Sequence, residues 1–310
     1  MWTPGLGALP ARFRQPRLLI VGCGDVGQRV ARALQPRLRI IALTSSPERV
    51  PSLRVQGITP LLGNLDAPRS LARLAGLATH VLHLAPPPPT GWGDPRTVAL
   101  GRALRLRSAP RAFVYGSTSG VYGDLQGAKA AETLGTAART PRAFRRVSAE
   151  QAVRFLGRSS HANGLVRSII LRIPGIYAPD RAGGTPKERL LKGTPVLQTQ
   201  DDVYSNHIHA DDLARACIKA LWRGKPQRIY NVNDDSALLM GDYFDLAADL
   251  YGLPRPPRVP RNTAQDQLPL MLLSFMSESR QMDNTRMKQE LKLQLRYPTV
   301  ATGLLSPPLF

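Results

Sequence analysis

A doubly wound α/β fold is the class this chain predicts, on three observations. Short apolar runs of strand length alternate with amphipathic helical stretches from Leu18 to Ile173, the pattern of a parallel sheet with right-handed crossovers. The first run, Leu18 to Val21, breaks at once into Gly22-Cys23-Gly24-Asp25-Val26-Gly27, and a helical pattern follows at Val26, Val30, Ala33 and Leu34. A hydroxyl-rich stretch, Gly116 to Asp124, follows a later apolar run, where ligands of open parallel sheets sit.

The spacing G-x-G-x-x-G between a strand and a helix gives each glycine its own task. Gly22 lets the chain turn off the strand, Gly24 lets backbone approach a pyrophosphate, and Gly27 lets the helix pack closely on the strand. The helix start at Asp25 and Val26 adds unpaired N–H groups and the positive end of a dipole. These features predict a Rossmann-type, NAD(P)-binding domain.

A second strand, Leu38 to Leu43, ends about twenty residues past that loop, where an Asp or Glu would bond the ribose diol of NAD. Here stand Thr44, Ser45 and Ser46, with Arg49 just beyond, a set that favours the 2′-phosphate of NADP over NAD. Glu48 argues the other way, and Ser-Pro-Glu would equally serve as a helix start. The third strand, Ile58 to Leu62, leads to Asn64 and Leu65, and a helix through Leu71 and Leu74 follows. The fourth, Thr79 to Leu84, ends at Ala85 and the prolines Pro86 to Pro89, an extended wall with no N–H donors. Asn64, Leu65, Ala85 and Pro86 complete the expected cofactor contacts. His83, among apolar neighbours, reads as a core residue.

A helix from Asp94 to Ser108 precedes strand five, Ala112 to Tyr115, and strand six is Val166 to Ile173, ending at Pro174-Gly175-Ile176-Tyr177. Beyond Asp180 the alternation loosens into a smaller α+β lobe. It has a short helix near Leu190, a helix from Asp211 to Trp222, a strand Arg228 to Val232, and helices near Met240–Tyr251, Thr263–Ser277 and Asn284–Leu293. The expected division is a loose extension over 1–16, the NAD(P)-binding domain over 17–178, and a substrate lobe over 179–310 with 207–235 returning to the first domain.

Composition narrows the classes. The 310 residues, 43% hydrophobic, contain no apolar run long enough to span a membrane. The first residues lack the apolar core of a signal peptide. Two cysteines, Cys23 and Cys217, cannot build a disulfide framework, so a cytoplasmic location is expected. The net charge of +20, mostly arginine and spread along the chain, raises attraction to phosphate-bearing polymers. No nucleic-acid motif accompanies it, and an arginine-rich surface equally suits anionic cofactors and substrates. His207 and His209, one residue apart on an extended stretch, face opposite ways, so no metal site is expected.

The segments Leu19–Gly27, Val81–Ala85, Phe113–Asp124, Leu171–Pro179, His207–Ala214 and Tyr230–Asp235 together resemble the extended and atypical short-chain dehydrogenases/reductases. The likeness is to their NAD-dependent epimerase/dehydratase branch and, within it, to YeeZ-like atypical members. The resemblance runs from about residue 17 onward. It implies a coenzyme across the strand ends, a small C-terminal lobe over the substrate, and a homodimer packed through two helices. It also implies a Ser/Thr that orients the substrate oxygen, which falls on Thr118, and a Tyr-x-x-x-Lys pair, which falls on Arg142 and Arg146.

That departure matters, because a guanidinium cannot exchange a proton near neutrality, although it can hold a phosphate or carboxylate bidentately. Tyr122, Tyr177, His207 and His209 are the candidate substitutes for the missing acid. Arg146 and Glu150 are spaced as an i,i+4 pair, which makes a solvated ion-paired face the competing reading of this helix. The expectation is therefore an NADP-binding oxidoreductase or epimerase/dehydratase-type enzyme acting on an anionic small molecule. The candidate catalytic residues are Thr118, Tyr122, Arg142 and Arg146. A non-catalytic NAD(P)-binding sensor is the alternative.

Overall fold

The computed structural model describes residues 16–35, 37–159, 165–268, 272–273 and 276–307. The extension read over 1–16 therefore lies, but for Pro16, outside the described residues, as do parts of the expected helix over 263–277. Seven strands form one sheet: β1 (Arg17–Val21), β2 (Arg39–Thr44), β3 (Thr59–Leu62), β4 (His80–His83), β5 (Ala112–Thr118), β6 (Arg167–Ile173) and β7 (Arg228–Asn231). They run parallel in the order β7-β6-β5-β4-β1-β2-β3. The order reverses between β1 and β4, which places a crevice outside their carboxyl ends.

Strand β1 shows why the runs are apolar throughout. Leu18 and Ile20 enter one core with Val26, Val30, Leu213, Cys217 and Met287, whereas Leu19 and Val21 enter the other with Leu100, Leu104, Val153 and Leu156. Both faces of a parallel sheet are covered, so both sets of side chains must be apolar. Each fully buried side chain of this size contributes about 1.5–3 kcal/mol. Helices α1 (Asp25–Leu34), α5 (Ala210–Arg223) and α7 (Thr285–Leu291) cover the first face, with α2 (Val50–Val55) at its edge. Helices α3 (Pro95–Arg105) and α4 (Pro141–Arg158) cover the second.

Helix starts follow their local chemistry. Asp94 caps α3 by accepting from the N–H groups of Arg96 and Thr97, and Thr140 caps α4 by accepting from that of Ala143. Pro95 and Pro141 each open the first turn, where a missing N–H costs nothing.

Three local expectations change. Strand β5 does not stop at Tyr115 but continues to Thr118, because Gly116, Ser117 and Thr118 stay paired with Leu171, Arg172 and Ile173 of β6. The stretch through Leu71 and Leu74 is a 3₁₀ helix, Pro68–Leu74. The helix expected from Thr263 starts earlier and is shorter, Arg261–Gln267.

The smaller lobe builds cores of its own. Helix α6 (Met240–Tyr251) packs Tyr243, Phe244, Ala247 and Ala248 against Tyr177, Leu190, Val196, Val300 and Leu304. A second cluster joins Leu197, Ala264, Leu268 and Met276. Among the described residues, no helix is long and apolar enough to cross a membrane.

Candidate active site

The glycine loop is built as three different environments. Gly22 has a φ of +86°, and a Cβ there would collide with the backbone of Ala85 at the end of β4. A Cβ on Gly27 would press within 3.2 Å of Ile20 and 3.3 Å of the Gly22 carbonyl. A Cβ on Gly24 would meet nothing within 4 Å, so the loop is open at its middle glycine. Gly24 also caps α1 without a side chain to satisfy the helix's first N–H groups. Cys23 between them is buried, and burial pushes its thiol up to about 11, so it acts as a packing residue.

A cleft of about 270 Å³ starts at this loop and runs across the strand ends. Gly22, Gly24, Asp25, Val26 and Gly27 line it at one end, and Gly116, Ser117, Thr118, Arg142 and Arg146 line it at the other. Leu84, Ile173, Pro174, Ile176 and Leu213 form apolar walls, and Arg181 borders the loop. A smaller chamber of about 80 Å³ lies beyond, lined by Thr118, Ser119, Gly120, Thr140, Arg142, Glu278 and Arg280 among others. Thr118 and Arg142 belong to both spaces.

The strand ends place these groups firmly. The Thr118 hydroxyl accepts from the N–H of Gly120 at 3.4 Å, so it caps the turn that follows β5. Arg146 donates to the Tyr115 hydroxyl at 3.1 Å and to the Gly116 carbonyl at 2.8 Å. Arg142, from the first turn of α4, has its pKa lowered by desolvation first and then by Arg146 and Arg145. In the chamber, Arg280 donates to the Gly123 carbonyl at 2.5 Å and holds Oε2 of Glu278 at 2.6 and 2.8 Å.

The solvated Arg146–Glu150 pair is not formed. Glu150 faces inward at 3% exposure, accepts from Ser117 at 2.7 Å, and pairs with the equally buried Arg172 of β6 at 2.8 Å. An unpaired carboxylate on the buried face of α4 would carry a large desolvation penalty, so it takes the partner that the sheet provides.

The candidate replacement acids are also committed elsewhere. Tyr122 is fully buried; its hydroxyl donates to Asn231 at 2.7 Å, its ring lies 4.5 Å from the Arg172 guanidinium, and burial raises its pKa. Tyr122 thus packs in the core and lines neither the cleft nor the chamber. Tyr177 donates to the Thr299 carbonyl at 3.2 Å, and burial raises its pKa strongly. His207 lies against Tyr243 with ring centroids 4.2 Å apart, and burial holds it near a pKa of about 4. His209 lies 3.8 Å from the Tyr297 ring and accepts from the Asp211 N–H. His83 is enclosed, 3.0 Å from the Thr97 hydroxyl.

On the far side of the glycine loop, Arg49 donates to the Cys23 carbonyl at 2.6 Å. The Thr44 hydroxyl accepts from the N–H of Ser46 at 3.2 Å, which shapes the end of β2 beside Ser45. Asn64 accepts from Asp66 at 2.9 Å and stiffens the turn after β3, while Leu65 packs on the core. The N–H of Ala85 donates to Val21 at 3.0 Å. Pro86 offers its carbonyl to Arg96 at 3.2 Å, and Arg96 also grips Asp66. Thr44, Ser45, Arg49, Asn64, Leu65, Ala85 and Pro86 thus frame the neighbouring strand ends rather than line the cleft itself.

Sequence reasoning missed Arg181, Glu278 and Arg280. Arg181 falls in a loop with no periodicity, and the other two come from a segment far along the chain. The only available signal was the tight run Asp180-Arg181 shortly after Pro174-Gly175-Ile176-Tyr177.

Comparisons with known proteins agree with this arrangement. The model of the NAD-dependent epimerase/dehydratase family matches residues 18–233. A conserved protein of unknown function from Silicibacter pomeroyi is 33% identical, with a TM-score of 0.77 over 93% of this chain and 96% of that one. UDP-glucose 4-epimerase from Thermotoga maritima, solved with UDP-glucose, is 17% identical, with a TM-score of 0.74 over 93% of this chain and 96% of that one. UDP-glucuronic acid 4-epimerase from Bacillus cereus, solved with NAD, is 18% identical, with a TM-score of 0.70 over 92% and 94%. The latter two share the fold. No curated protein matches the chain. With the family's sequence pattern spanning most of a parallel sheet, the glycine loop at its switch point and the cleft beyond it, this chain belongs to the NAD-dependent epimerase/dehydratase family.

Proposed function

We propose that the protein binds NADP and acts as an oxidoreductase or epimerase/dehydratase-type enzyme on a compact anionic molecule held beside Thr118. One observation carries this reading: a single cleft joins the open glycine loop to Thr118, Arg142 and Arg146. The residues present fit a dinucleotide, since Gly24 leaves the loop open and the first turn of α1 has no side-chain cap. NADP rather than NAD is supported by the hydroxyls after β2 and by Arg49, whose guanidinium is anchored at the loop's edge.

A bound nicotinamide coenzyme supplies or accepts hydride. The chain's own part is position and charge. Thr118 donates its hydroxyl hydrogen to a substrate oxygen, and Arg142 takes the substrate's anionic group in the chamber. Arg146, fixed on Gly116 and Tyr115, keeps positive potential at the end of β5. Glu278 is the carboxylate lining that chamber, held in place by Arg280.

The second reading, a coenzyme-binding sensor without turnover, is favoured by one fact. Among the described residues, neither a tyrosine nor a histidine lines the cleft or the chamber. Fluorescence titration with NADPH and NADH tests the coenzyme reading, and failure of both to bind overturns it. Following NADPH oxidation with a panel of small oxo-acids separates the two functions: turnover supports the enzyme, and tight binding without turnover supports the sensor. We extend the proposal to a homodimer through the outer faces of α3 and α4, where Val98 and Phe155 are exposed; light scattering tests it.

A further inference from the structure

Arg29, in the middle of α1, is almost completely buried yet carries a charge, and three carboxylates surround it. It takes Asp25 at 3.1 Å, both oxygens of Asp180 at 2.7 Å, and Asp211, which is itself fully buried. Asp180 belongs to a closed turn in which Ala178 and Gly184 bond across the backbone at 3.2 Å. Arg29 therefore ties that turn to the first helix, and the next residue in it, Arg181, is delivered to the edge of the glycine loop. There the Arg181 guanidinium donates to the second oxygen of Asp25 at 2.8 Å. Both side chains are about a third exposed, in the wall of the cleft.

The two partners of Asp25 differ in kind. Arg29 is enclosed and shared among three acids. Arg181 reaches Asp25 from the half-exposed turn, and its side chain lines the cleft. If Arg181 leaves, Asp25 keeps its bond to Arg29, so the exchange strands no buried charge. The charge of the cleft suits an incoming dianion: Arg142, Arg146 and Arg181 stand against the single carboxylate of Asp25. Backbone N–H groups at the loop can cradle phosphate oxygens but add no net charge, whereas a guanidinium offers a planar fork matched to them.

We propose that Arg181 is a pyrophosphate ligand held in reserve: it is paired with Asp25 while the loop is free, and is handed to the linked phosphates when a dinucleotide enters. This rests on the coenzyme reading above. Asp25 acts as the keeper of Arg181 and competes with the phosphates for it.

The experiment is a double-mutant cycle read by NADPH and ADP-ribose affinity, using R181Q, D25N and the double variant, with thermal unfolding as a check on folding. R181Q is expected to weaken both ligands about ten-fold or more and to flatten the salt dependence of binding. R181K is expected to recover part of the loss. D25N is expected to tighten binding in the presence of Arg181, and to give a markedly smaller gain in the R181Q background. Equal gains in the two backgrounds overturn the competition, and R181Q affinity within two-fold of the parent overturns the ligand role. If the parent chain binds neither NADPH nor ADP-ribose, the coenzyme reading fails instead.

Discussion

Arg49, on the turn after β2, donates its guanidinium to the backbone carbonyl of Cys23 at 2.6 Å, in the turn after β1. The contact crosses two adjacent strand ends and holds a guanidinium beside the glycine loop, where the proposed NADP reading puts the 2′-phosphate. Replacing Arg49 by Gln is expected to weaken NADPH about ten-fold or more, the scale of one charge-assisted bond, while leaving NADH within about two-fold. Parallel fluorescence titrations of the two coenzymes check it. Equal losses for both would show that Arg49 supports the loop rather than reads the 2′-phosphate.

Two glycines of one loop are expected to fail in opposite ways. Gly24→Val puts a side chain into open space, so the fold should survive with coenzyme binding abolished. Gly22→Ala puts a Cβ against Ala85 in a left-handed conformation, so stability itself should fall by about 2 kcal/mol or more. Chemical denaturation and coenzyme titration of both variants separate the effects.

The Glu150–Arg172 pair is buried on both sides and also carries Ser117. Glu150→Ala leaves a guanidinium charged and unpaired beneath the sheet, and about 3–5 kcal/mol of stability should be lost. Because Ser117 precedes Thr118, affinity for any ligand in the chamber should fall as well. Urea unfolding measures the first effect. Substituting both partners with apolar residues of similar volume should recover much of the loss.

Acid sensitivity has an identifiable source at the edge of the sheet. Hydrogen bonding by Arg228, above all, brings Glu290 of α7 down to about 2, with Tyr230 and Lys225 helping. A depressed folded pKa contributes stability that is complete above the unfolded value near 4.3 and disappears as pH falls through about 2. Glu290→Gln should therefore cost stability at pH 7, progressively less as pH falls, and nothing once pH is well below about 2. Denaturation midpoints of parent and variant, taken across that window, should converge toward the acid end.

The sheet was legible because burial on both faces writes itself as uninterrupted apolar runs, and the glycine loop because each glycine answers a local steric demand. Side-chain partners separated by long stretches of chain were not. Arg146 and Glu150 have the spacing of a surface pair, and only β6, which brings Arg172 under α4, turns Glu150 inward. Arg29 reads as one more surface arginine of an amphipathic helix until Asp180 and Asp211, more than a hundred residues away, are folded against it. The extent of β5 was underestimated because hydroxyls at a strand end look like a loop, although their backbone groups stay in the ladder.

Helix α4 is gripped from beneath by Arg172 and capped at its start by Thr140, and neither contact involves Arg142 or Arg146. Arg146 adds a further hold of its own, on the Tyr115 hydroxyl and the Gly116 carbonyl of β5. A change at Arg146 therefore alters two things at once, the charge of the cleft and the seating of the helix on the strand beside it.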